Sequence, residues 1–163
     1  MKLEEGEQVA STIINSLRPL SEKIEAVGSI RRKKPIVNDI DIVILPRANT
    51  PLGNFVFMMA SHGYVGTASG EKICRFVDQT NHIHVDLYFT TPYTHEMIRL
   101  VRTGSKELNI RLAKIANRKG LHFALNGEGV IDPSTGKRVG GETEESVFKA
   151  LGLDYIPPEK RDR

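Results

Sequence analysis

One cysteine, Cys74, stands among 163 residues. A single thiol excludes an intramolecular disulfide and any zinc site built on several cysteines. Its setting, "KICRFV", reads as core. No apolar run approaches the roughly 20 residues of a membrane-spanning helix, and the opening "MKLEEGEQVA" is acidic, unlike a secretion signal. These absences predict an intracellular protein without a membrane partner, cytoplasmic if the source is a prokaryote or a virus. There is no internal repeat and no low-complexity tract. The five histidines show no metal-ligand spacing, and His62, His95 and His122 read as surface or cap residues. Neither sign of charge dominates: 23 Lys and Arg against 20 Asp and Glu leave +3, a mild preference for an anionic partner. A hydrophobic content of 39% and a charged content of 26% are those of an ordinary globular chain, long enough for one domain or two small lobes.

Periodicity supplies the elements. Val9, Ile13, Ile14 and Leu17 mark one face of an N-terminal helix. Strands are predicted near 23–28 and 39–46, and "FVFMMASHG" reads as a helix ending at Gly63. "KICRFVDQTNHIHVDLYFT" reads as a β-hairpin turning at Asp78–Asn81. After Pro92 the character changes. "YTHEMIRLVRTGSKELNIRLAKIANRKG" is two helical segments broken at Thr103–Gly104. A glycine-rich, hairpin-like stretch follows from Leu121 to Gly141, then a short helix from about Thr143 to Leu151, stopped by Gly152. The expected class is α/β (α+β), a mixed sheet flanked by helices over 1–91 with a small α+β lobe over 92–163.

The chemistry is concentrated in "VGSIRRKKPIVNDIDIVI", Val27 to Ile44. Side chains alternate along a strand, so Asp39 and Asp41 share one face and Ile40, Ile42 and Ile44 the other. Two adjacent carboxylates repel each other. A divalent cation removes the conflict, and hard Mg²⁺ takes carboxylate, phosphate and water oxygens. Upstream, "EAVGS" reads as a strand ending at Gly28–Ser29. Glycine there allows close backbone approach to a ligand. Backbone N–H groups, the Ser29 hydroxyl and Arg31/Arg32 make an anion site. Phosphates held there and a metal held by Asp39 and Asp41 suit phosphoryl or nucleotidyl transfer.

A third carboxylate fits the same scheme. In "HIHVDLYF", Ile83, Val85, Leu87 and Phe89 lie on one face and His84, Asp86 and Tyr88 on the other. An aspartate reaching Asp39 and Asp41 from a neighbouring strand completes a site for two metals, which clamp the attacking and leaving oxygens of an in-line displacement. Asp86 is also placed to draw the proton from an attacking hydroxyl, and His84 reads either as orienting Asp86 by a hydrogen bond or as an ordinary polar residue of the strand.

Gly28-Ser29, Arg31-Arg32, Asp39-x-Asp41 and Asp86 resemble the nucleotidyltransferase palm of the family X DNA polymerases, the polymerase β relatives. "TGSKELNIRLAKIANRKGL" resembles that family's Thr-Gly-Ser…Asn segment and following helix, and "LGLDYIPPEKRD" its closing segment. The similarity covers most of Glu25–Asp162. It implies that Asp39, Asp41 and Asp86 hold two Mg²⁺ ions, with Mn²⁺ as an alternative. It implies that Ser29 and Arg32 hold the triphosphate, with Gly28 shaping the turn and Asn38 beside them. Gly104 and Asn109 would lie beside the incoming nucleotide, and Lys106 where a nucleotide-contacting side chain falls. There are departures. Only 27 residues precede Gly28, so a lyase domain and a helix-hairpin-helix segment are not expected, and the chain resembles the smallest members. Val101 and Arg102 stand where an aromatic pair is usual before Thr-Gly. Asn38 stands where a glycine often precedes the first aspartate.

As a helix, Lys106–Arg118 would turn Leu108, Leu112 and Ile115 inward and Arg111, Lys114 and Arg118 outward. Between Arg99 and Lys119 there are seven Lys and Arg against one acid, Glu107. That stripe, with Lys33, Lys34 and Arg102, suits contact with DNA phosphates. The expectation is a monomeric, metal-dependent DNA nucleotidyltransferase that adds dNMP from a dNTP to a DNA 3′ end, on a template or in a short gap. Its rivals are a nucleotidyltransferase acting on RNA ends, a small molecule or a protein, and a catalytically silent DNA-end-binding module.

Overall fold

The computed structural model describes residues 1–162. The chain divides into two compact units, Met1–Thr91 and Pro92–Arg163.

In the first unit, helix α1 (Leu3–Leu17) buries Ala10, Ile13 and Leu17 along one stripe. Strand β1 (Ser21–Ala26) follows, then a one-turn helix α2 (Gly28–Arg31). The strand expected to run into Gly28–Ser29 therefore stops at Ala26. The reason is local: Gly28 has φ +59°, outside the extended region, and the chain swings into the helical turn. Strand β2 (Ile40–Pro46) leads to helix α3 (Leu52–Ser61), then β3 (Tyr64–Ser69), β4 (Ile73–Asp78) and β5 (His84–Phe89). The sheet order is β1-β2-β5-β4-β3. Only the β2–β5 pair is parallel; the others are antiparallel.

Alternation sorts the two faces. Ile40, Ile42 and Ile44 of β2 and Val85, Leu87 and Phe89 of β5 join Cys74 and Phe76 in one core, with Ala10, Ile13 and Leu17 of α1 and Phe55 and Met59 of α3. Burying one such aliphatic or aromatic side chain contributes about 1.5–3 kcal/mol, so the register of β2 against β5 is firmly set. A slip of one residue would send the isoleucines to the aspartate face. Strand β3 is not among the elements that periodicity predicts: "YVGTAS" has no apolar alternation, and its residues lie at an exposed sheet edge.

In the second unit, α4 (His95–Thr103) and α5 (Lys106–Arg118) are separated at Gly104, with φ +73°. Ser105 caps α5, its hydroxyl accepting from Leu108 N at 3.2 Å. The glycine-rich stretch is three antiparallel strands, β6 (His122–Ala124), β7 (Gly129–Asp132) and β8 (Lys137–Gly140), rather than one hairpin. Helix α6 (Glu144–Ala150) follows. Met97, Leu100, Leu108, Leu112, Phe123, Val130, Val147 and Phe148 form the core. His95, expected to be a surface or cap residue, opens α4 and is 2% exposed, so it lies at the helix start but not at the surface. No helix among the described residues is long and apolar enough to cross a membrane.

Candidate active site

The β2–β5 pairing places Asp41 directly opposite Asp86. Both lie on the face away from the isoleucine core, as period two requires. Asp41 is fixed from the other side as well, because its carbonyl accepts from Val27 N at 2.8 Å. That bond brings the start of α2 against the Asp41 side chain. A Cβ on Gly28 would fall onto Asp41 Oδ2, and within 3.1 Å of its Cγ. Only glycine fits there, on both backbone and steric grounds.

Asp39 precedes β2 on the same side and is exposed. Among the described residues no three His, Cys, Asp or Glu side chains are gathered closely enough to hold a metal ion. Asp41 and Asp86 are brought together; Asp39 is not drawn in with them. The donor set nonetheless fits a hard cation, being carboxylate oxygen only, on adjacent strands, beside a glycine that leaves room for one of the carboxylates.

Tyr88 carries a role that its place on the strand alone does not disclose. Its hydroxyl lies 3.2 Å from Asp41 Oδ1 and 3.2 Å from Asp86 Oδ2. His84, exposed at the strand's start, fits the reading as an ordinary polar strand residue, and the hydrogen bond to Asp86 comes from Tyr88. Arg75, opposite Asp86 on β4, puts Nε 3.4 Å from the same Asp86 Oδ2. Both signals are present in the alternation of β4 and β5, but a hydroxyl and an arginine beside carboxylates look alike at any strand end.

Around α2, Arg32 N donates to Gly28 O and Lys34 N to Ser29 O. Helix geometry leaves the first-turn N–H groups without partners inside the helix. Ser29 and Arg32 are half-buried and Asn38 is exposed. Lys33, in a left-handed turn with φ +58°, bonds Glu7 through Nζ at 2.5 Å.

In the second unit, Gly104 is buried and Lys106 exposed. Asn109 Nδ2 donates to Val101 O at 2.9 Å, while its Oδ1 is buried with no hydrogen-bond partner. Val101 packs against the core and Arg102 is half-buried. Arg111, Lys114 and Arg118 are all exposed. The inward stripe of α5 is Leu108, Leu112 and Ala116, with Ile115 partly buried at its margin. A buried ion pair, which sequence reasoning missed, lies in the same unit. Arg161 Nη2 is 2.8 Å from Glu144 Oε2, both side chains almost fully enclosed. Ser105 Oγ donates to Arg161 O at 2.7 Å, tying the closing segment to the α5 cap.

Residues 98–162 match the family model described as DNA polymerase beta thumb. The repair DNA polymerase X of African swine fever virus is 27% identical over 149 residues, covering 89% of this chain and 84% of the viral protein. Human DNA-directed DNA/RNA polymerase mu is 35% identical over 81 residues, 49% of this chain and 16% of that protein. The fold is that of Leishmania infantum polymerase beta in a ternary gap complex, with a TM-score of 0.84 at 21% identity over 100% of this chain and 71% of that one. The thumb model lies on the second unit and the viral repair polymerase X is matched across both, so over nearly its whole length the chain is similar to family X DNA polymerases.

Proposed function

We propose that this chain is a metal-dependent, DNA-directed DNA polymerase. It adds dNMP to a DNA 3′ end, releases pyrophosphate and fills short gaps during repair, acting as a monomer. The observation that carries this reading is the in-register pair Asp41 and Asp86 with Gly28 pressed against Asp41. The relatives named repair polymerases support it.

Asp39, Asp41 and Asp86 would hold two Mg²⁺ ions. When bound, these ions supply charge neutralisation for the triphosphate and the leaving oxygen and make the 3′ hydroxyl more acidic. The protein residues do the rest. Asp86 Oδ2 is engaged by Tyr88 and Arg75, so Oδ1 is the atom offered to the 3′ hydroxyl proton. Ser29, Arg32 and Asn38 hold phosphate oxygens against the turn that Gly28 makes possible. Gly104, Lys106 and Asn109 flank the incoming nucleotide, and Asn109 Oδ1 is a buried acceptor in want of a donor. Arg111, Lys114 and Arg118 bind DNA phosphates, with Lys33, Lys34 and Arg102 adding charge.

Primer extension with and without template, given dNTPs or NTPs, tests the reading. Insertion of the complementary dNTP on a template strand is expected. Extension of RNA or of no nucleic acid would transfer the chain to another nucleotidyltransferase class. DNA binding without any extension would make it a silent end-binding module.

A further inference from the structure

The two carboxylates that face each other across β2 and β5 converge on one phenol, with Tyr88 Oη 3.2 Å from Asp41 Oδ1 and 3.2 Å from Asp86 Oδ2. A phenol has one proton to give. Two like charges therefore meet around one shared donor, where repulsion would otherwise swing them apart. Tyr88 is 6% exposed, so packing and not solvent fixes where its hydroxyl sits. Arg75 approaches the same Asp86 oxygen from β4 at 3.4 Å. Its side chain is 55% exposed, so the guanidinium can leave without disturbing the core.

We propose that Tyr88 and Arg75 together hold the carboxylate pair ready for a divalent cation. Tyr88 is a positioning residue that fixes how Asp41 and Asp86 face each other. Arg75 is a stand-in cation that occupies Asp86 and yields it when a metal ion binds. The inference rests on reading Asp41 and Asp86 as metal ligands. It assigns two residues that the chemistry of the bare carboxylates does not require.

The two roles act on metal affinity in opposite directions. Loss of the Tyr88 hydroxyl lets the carboxylates separate, so a cation must gather them again. An outer hydrogen bond of this kind is worth about 10- to 100-fold in metal affinity. Loss of the Arg75 charge removes a competitor. A half-exposed ion pair is weak, so the gain is small, about two- to five-fold.

Mn²⁺ titration of the full chain without DNA or nucleotide, followed by electron paramagnetic resonance, measures both. Tyr88→Phe should bind Mn²⁺ at least about ten-fold more weakly. Arg75→Gln should bind it about two- to five-fold more tightly, and Arg75→Lys should stay near the parent protein. A merely structural role would weaken binding in both variants alike. Phenylalanine keeps the ring, and circular dichroism of each variant checks the fold. Unchanged affinity in Tyr88→Phe would overturn the positioning role. Weaker binding in Arg75→Gln would overturn the stand-in cation. Absence of Mn²⁺ binding by the parent protein would remove the metal reading of the site itself, an outcome distinct from equal binding by parent and variant.

Discussion

Gly28 shows how narrowly one position is determined. Its φ of +59° is left-handed, and a side chain there would run into Asp41 Oδ2. Gly28→Ala meets the backbone penalty of about 1–2 kcal/mol and must also push Asp41 away from Asp86. Stability should fall by about that amount, and nucleotide insertion should drop well beyond what the fold loss explains. Thermal unfolding beside single-nucleotide insertion separates the two. Wild-type insertion by the folded variant would show that Asp41 need not sit against Gly28. The proposed polymerase reading makes Arg102 a test of sugar choice. Where related polymerases carry aromatic residues, this chain has Val101, packed into the core, and a half-buried Arg102. An arginine offers donors that a 2′ hydroxyl can use, whereas a hydroxyl buried without a partner is disfavoured by about 1–3 kcal/mol. Discrimination against GTP relative to dGTP opposite cytosine should therefore be weak and should strengthen in Arg102→Phe. Strong discrimination that this change leaves unaltered would assign the selection to the backbone at Gly104.

Elements were legible in proportion to their periodicity. β2 and β5 declared both faces, because apolar and carboxylate residues alternate along them; α5 did so through Leu108, Leu112 and its basic stripe. α2 is one turn long and has no period to read, so its first residues pass for a strand end. β3 carries glycine, threonine, alanine and serine at a sheet edge, where no core demands a pattern. Tyr88 could be placed on the Asp86 face, but its contact with Asp41 and the approach of Arg75 to Asp86 cross between strands and come from register. The stripe on α5 is exposed, as expected of a surface that binds a polyanion and equally of a solvated helix. Changing Arg111, Lys114 and Arg118 together to glutamine distinguishes these. For every duplex phosphate that the variant no longer neutralises, the dependence of log K on log salt should flatten by about 0.9. An unchanged slope in a binding titration would return the face to solvent.

The two units, Met1–Thr91 and Pro92–Arg163, each carry a core of their own, and the second is closed by a bond that spacing could not reveal. Arg161 and Glu144 are 17 positions apart and both fully enclosed. Tyr155 Oη also donates to Glu144 Oε2, at 3.2 Å, and Arg161 Nε donates to Ile156 O at 2.9 Å. Arg161→Ala should lower stability by about 3–5 kcal/mol, because it strands a buried carboxylate. Arg161→Met with Glu144→Leu should recover much of the loss, as read by urea midpoints. Equal midpoints for Arg161→Ala and the parent would mean that the pair is not buried in solution. In the proposed function catalysis depends instead on the first unit's carboxylates, and single-turnover insertion by Asp86→Ala on primer–template DNA, with DNA affinity measured alongside, tests that proposal. The expected result is a loss of more than about 10²-fold in rate, the scale of a missing proton acceptor, with DNA binding retained. Near-normal insertion by that variant would contradict the assignment of the Asp41–Asp86 pair as the centre of the polymerase reaction.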